Sequence, residues 1–142
     1  MTVEKVGVLD TSTLMLIDRL DRGSLPTRPV ITAITLAELS VGPLTAIDPA
    51  ERAARQIRLQ ETEATFEPLP FDAAAARAFG VVSAALRQSG RKVASRAFDA
   101  MIAAVALAND LPVYTCNPRD FAGIDGLRVQ AIRHPDQPVG TP

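Results

Sequence analysis

Apolar and polar positions change period several times along the chain, and each change marks an element. The run "KVGVLD" is apolar up to Asp10, and "TSTLMLIDRLDR" then switches to helical spacing with Thr11 or Ser12 placed as its cap. "PVIT" predicts a second short strand, and "AITLAELSVG" a helix capped by Thr32 and stopped by Gly42 and Pro43. From Pro49 to about Ala64 an apolar face alternates with a mixed-charge one, as on an exposed helix. "TFEPLPF" reads as an edge strand because of its two prolines. Asp72 caps a helix that ends at Gly90, and "RAFDAMIAAVALAND" supplies the fifth main helix. "LPVYTC" and "GLRVQAI" complete five strands. Strands that alternate with helices predict an α/β fold: one open, mostly parallel five-stranded sheet with helices on both faces.

The length of 142 residues suits one domain, assigned to residues 1–132, and the tail 133–142, "RHPDQPVGTP", buries too little to order itself. The charge nearly balances, 15 basic against 16 acidic residues, which argues against a surface coated in basic charge for wrapping duplex DNA. One Cys and one His exclude disulfides within the chain and Cys- or His-rich zinc sites, so any metal must be held by oxygen. The N-terminus has no signal-peptide pattern, and "AMIAAVALA" is far shorter than the roughly 18 apolar residues a membrane span needs. The implied compartment is the cytoplasm, with no membrane partner.

Candidate chemistry lies in the carboxylates. Between Ala97 and Ala108 every residue but Asp99 is apolar, and a charge inside such a helix is costly without a compensating partner. Sites in open α/β sheets form outside the carboxyl ends of the strands. Asp10 ends the first strand, Glu38 lies a turn into the helix after the second, Asp120 follows "VYTCN", and Asp99 starts the helix before that strand. Four acids gathered at one edge repel unless a cation offsets them, and Mg2+ or Mn2+ is the natural one for oxygen ligands. A hard ion that keeps several waters suits hydrolysis of a phosphodiester. Singly, the same residues have structural uses: Asp10 as a cap, Glu38 near a helix start, Asn117 and Asp120 in a turn around Pro118.

The stretches "VLDTSTL", "TAITLAELSVG", "RAFDAMIAAVALA" and "VYTCNPRDF", in that order over nearly the whole chain, resemble the four motifs of PIN-domain ribonucleases, closest to VapC-type toxins of bacterial toxin–antitoxin pairs. The resemblance implies a PIN-like domain with Mg2+- or Mn2+-dependent endoribonuclease activity on RNA, a homodimer, and silencing by a VapB-type antitoxin, through which DNA is reached only indirectly. By motif match it implies Asp10 and Asp99 as the main metal ligands, Glu38 as a ligand or water-orienting group, and Ser12 as an assisting hydroxyl. At the fourth position many relatives carry an acid where this chain has Asn117, so either Asp120 supplies that carboxylate or Asn117 serves as a neutral ligand. Arg96, three residues before Asp99 on the same helical face, and Lys92 in the preceding loop are candidates to meet RNA phosphates.

Other readings fit less well. A von Willebrand-type D-x-S-x-S site fails at Leu14, a dehalogenase-type phosphatase lacks an acid at Ser12, and a receiver domain lacks a late lysine. The alternative from another class is a catalytically weak PIN-fold binding module that acts through an antitoxin complex; the retention of Asp10, Glu38 and Asp99 favours the enzyme.

Overall fold

The computed structural model of the protein describes residues 3–92 and 96–137. Its centre is a parallel sheet of four strands, β1 (Val6–Leu9), β2 (Arg28–Val30), β3 (Val113–Thr115) and β4 (Val129–Ala131), in the order β2-β1-β3-β4. Leu9 pairs with Tyr114, so the next positions, Asp10 just past β1 and Thr115 at the end of β3, lie side by side at the carboxyl edge of the sheet. The helices are α1 (Thr11–Met15), α2 (Ala33–Thr45), α3 (Pro49–Thr65), α4 (Ala73–Gln88) and α5 (Ala97–Ala108).

Successive strand residues face opposite sides of a sheet, and here each side is covered. Val8 and Val113 point to one side, against Val82 and Leu86 of α4 and Ile102 and Ala106 of α5, with Phe121 and Ile124 closing the end. Leu9 and Ile31 point to the other, against Leu14 of α1 and Leu39 of α2, with Leu59, Phe66 and Tyr114 packed alongside. Gly7 is required here: a Cβ at that position would lie 2.4 Å from the Tyr114 ring. Thr32 caps α2 through its hydroxyl, which accepts from the Ile34 and Thr35 N–H groups, and Asp72 caps α4 by accepting from Ala75 N at 3.0 Å. Among the described residues no helix is long and apolar enough to cross a membrane.

Three expectations change. The sheet has four strands, and "TFEPLPF" joins it only through Leu69, whose N–H donates to Ile31 O at 2.9 Å and whose carbonyl accepts from Ala33 N at 2.8 Å. Pro68 and Pro70 flank it and lack N–H groups on the side facing away from β2, which suits a position at the sheet edge. The helix of "AITLAELSVG" does not stop at Gly42 and Pro43 but runs on to Thr45. Pro43 lies within its last turns, where one missing N–H matters little, and Arg55 of α3 packs on Gly42 and donates to its carbonyl at 3.0 Å. The helix from Thr11 ends at Met15 and gives way to 3-10 turns at Ile17–Arg19 and Arg22–Ser24, and its cap position is taken by Asp10 instead of Thr11 or Ser12. After β4, Ile132 is buried and Asp136 pairs with Arg19 at 2.5 Å; positions 138–142 of the tail lie outside the described residues.

Candidate active site

Asp10 follows directly from the end of β1 and is the most deeply buried carboxylate, at 2% exposure. Its Oδ2 accepts from the Thr115 hydroxyl at 3.0 Å and the Ser12 hydroxyl at 3.3 Å. Its Oδ1 is buried with no hydrogen-bond partner among the described residues. Burial pushes the Asp10 carboxyl above its ordinary range, and the hydroxyls of Thr13, Thr115 and Ser12 oppose that shift. One oxygen is thus anchored and the other is presented without a donor, an arrangement that suits a cation.

Glu38 is half-buried on α2 and accepts from the Thr11 hydroxyl at 2.7 Å; Thr11 Oγ1 also lies 2.9 Å from Thr35 Oγ1. Asp99 stands in the first turn of α5. The sequence expectation of a buried acid is corrected by its half-exposed position: the solid core of α5 begins one residue later, at Ala100 and Ile102–Ala106, while Phe98 faces outward at 56% exposure. Its carboxyl is nevertheless pushed up to about 6, first by partial burial, then by the charges of Asp120, Asp10 and Glu38, with Arg96 working the other way. Asp120, Asp10 and Glu38 thus stand near enough to Asp99 to act on it by charge.

Asp120 lies in the 3-10 turn Pro118–Phe121 and forms an ion pair with Arg96, the residue capping α5. Asn117 is exposed, and its side-chain amide donates to Ser12 Oγ at 3.1 Å while its N–H donates to the Thr115 hydroxyl at 2.9 Å. Asn117 therefore reaches Asp10 only through hydroxyls, whereas Asp120 acts on Asp99 directly. Arg91 donates to Arg119 O, tying the loop after α4 to the same turn, and Lys92 is exposed in that loop. Cys116 is buried, its thiol pushed up by burial, and its N–H donates to Thr13 Oγ1 at 3.0 Å.

The hydroxyls of Thr11, Thr13, Thr35 and Thr115 were not singled out as site residues from sequence. A signal existed for Thr115: once β1 and β3 are paired, it falls opposite Asp10.

The donor set fits a divalent ion in chemistry: all oxygen, one buried oxygen without a partner, and a carboxyl raised by burial and then by its fellow acids. Among the described residues no three His, Cys, Asp or Glu side chains are drawn tightly enough together to chelate an ion directly. Mg2+ needs only one or two direct carboxylates and keeps several waters, so spaced acids suit it. A cleft of about 940 Å3 opens elsewhere, between α1, the turns after it and α3, and none of the four acids lines it.

Residues 8–127 match the PIN domain family. The chain is 43% identical over 136 residues to Ribonuclease VapC5 of Mycobacterium tuberculosis, covering 93% of this chain and 98% of that protein. It is 34% identical to the tRNA(fMet)-specific endonuclease VapC of Shigella flexneri, covering 70% of this chain and 72% of that one. Among solved structures it resembles the VapBC-5 toxin–antitoxin complex of M. tuberculosis, with a TM-score of 0.76, 44% identity and coverage of 91% and 98%. The DNA-bound VapBC of Salmonella typhimurium gives a TM-score of 0.70 at 28% identity, with the same coverage.

Proposed function

The chain belongs to the PIN-domain family, among its VapC ribonucleases, and from that premise we propose that it is the toxin of a toxin–antitoxin pair, an endoribonuclease dependent on Mg2+ or Mn2+. The observation that carries this reading is Asp10 at the end of β1, with Oδ2 anchored by Thr115 and Ser12 and Oδ1 buried without a partner, beside an Asp99 carboxyl raised first by burial and then by the charges of Asp120, Asp10 and Glu38. Acids gathered at one sheet edge repel one another, and a cation offsets that repulsion.

Asp10 and Asp99 would hold the ion, with Glu38 and Asp120 beside them. When bound, the ion supplies an activated water and charge stabilisation at the scissile phosphate. Asp10 is suited to its part because Thr115 and Ser12 lock one oxygen and leave the other to face the ion. Asp99 would hold the ion as its carboxylate, so ion binding would weaken as pH falls through about 6. Asn117 keeps Ser12 turned toward Asp10. Arg96, held by Asp120 at the start of α5, and Lys92 would meet the phosphates on either side of the cut.

The partners follow from the relatives, whose structures are toxin–antitoxin complexes. A VapB-type antitoxin would silence the chain, which reaches DNA only through it, and the free toxin would form a homodimer in the cytoplasm. Induced expression in a bacterial host is expected to stop growth, and Asp99→Asn at equal protein level to restore it; growth unaffected by the wild-type chain would count against the toxin reading.

A further inference from the structure

Thr35 is fully buried, at 0% exposure. A helical threonine in that position ordinarily returns its proton to the carbonyl four residues back, and a valine would fill the space without any polar group to satisfy. The hydroxyl of Thr35 instead lies 2.9 Å from that of Thr11, at the start of a different helix. Thr11 has one hydroxyl proton, and it goes to Glu38 Oε1 at 2.7 Å. In the pair with Thr35 it must therefore accept, which makes Thr35 the donor. The result is a directed chain from Thr35 through Thr11 to the Glu38 carboxylate.

We infer that this hydroxyl relay fixes Glu38 for the divalent ion, making Thr35 and Thr11 positioning residues of the site. Glutamate has three rotatable side-chain bonds and loses much freedom when immobilised. A donor on Oε1 selects one arrangement before any ion arrives, and a second donor behind it polarises the first. The backbone beneath is fixed as well, since Thr35 N–H donates to the Thr32 cap hydroxyl at 3.4 Å and α1 starts directly from the Asp10 position. Two ligands on separate segments, Asp10 and Glu38, are thereby held in register by adjacent residues of one short helix.

The inference rests on the metal-site reading above, and Mn2+ affinity measured by calorimetry on the folded chain tests it without using catalysis. Thr35→Val keeps the shape and removes the donor; Thr35→Ser keeps the donor and removes a methyl group. The relay predicts that Thr35→Val weakens Mn2+ binding about tenfold, the scale of losing a partner that orients a ligand, and that Thr35→Ser stays within about twofold of wild type. A merely structural role predicts the reverse order, with the smaller Ser side chain doing the greater harm. If Thr35→Val does not fold, Thr11→Val carries the same predicted loss. Thr35→Val binding as tightly as wild type, or Thr35→Ser binding as weakly as Thr35→Val, overturns the relay. Wild-type chain that binds no Mn2+ and cleaves no RNA overturns the metal-site reading beneath it.

Discussion

At the scale of single residues, Asp99 carries the clearest consequences. Its folded carboxyl titrates near 6 against an ordinary 3.8, so in metal-free protein the native state keeps a proton that the unfolded chain releases. The stabilisation from that proton is complete below about pH 4 and lost as pH rises through about 6. Asp10, raised by burial, acts in the same direction. Metal-free protein should therefore melt at a lower temperature at pH 7.5 than at pH 5, and Mn2+ should raise the melting temperature more at pH 7.5; thermal melts at both values, with and without the ion, check this. Equal Mn2+ stabilisation at both pH values would contradict it. Asp99→Asn removes the repulsion along with the ligand, so it should raise the metal-free melting temperature at pH 7.5 by about 2–4 °C, while lowering RNA cleavage about 100-fold or more. Thr115→Val should act more mildly, reducing cleavage about tenfold by freeing the anchored oxygen of Asp10.

Between elements, the weak points are where backbone and side chain approach most closely. Gly7→Ala drives a methyl group into the Tyr114 ring and should cost about 1–3 kcal/mol, read as a shift of the urea midpoint at unchanged slope. The elements themselves were legible where periodicity ran long. The helices from Pro49, from Asp72 and through "RAFDAMIAAVALA" follow their apolar faces and caps, and Thr32 and Asp72 cap as their positions imply. Short elements were less legible because contacts outside the segment decide them. Leu69 makes one bridge to Thr32 and no ladder, since the chain turns into α2 at Ala33, and α2 passes Pro43 with α3 packed against its last turns.

For the whole molecule, the sequence made the edge of the sheet legible as the candidate site, because Asp10, Asp99 and Asp120 sit at strand or helix ends in a parallel α/β pattern. It did not reveal which acid is buried. Asp99 looked enclosed in an apolar helix, yet the helix end projects from the core, whereas Asp10 is sealed by the pairing of β1 with β3. Nor did it resolve the fourth position. Sequence left Asn117 and Asp120 as alternatives, and only the packed turn puts Asp120 against Arg96 and Asn117 against Ser12. The hydroxyls of Thr11 and Thr35 were invisible for the same reason, since their partners lie 24 and 27 residues away, whereas Thr115 becomes legible once β1 and β3 are paired.

Metal-dependent cleavage of RNA at this acidic edge is read by incubating purified, antitoxin-free protein with total cellular RNA and sequencing the new ends. With Mg2+ or Mn2+ discrete cuts are expected, and they should vanish on adding EDTA and in the Asp99→Asn variant. Cuts that persist undiminished in EDTA, or in folded Asp99→Asn protein, would contradict it.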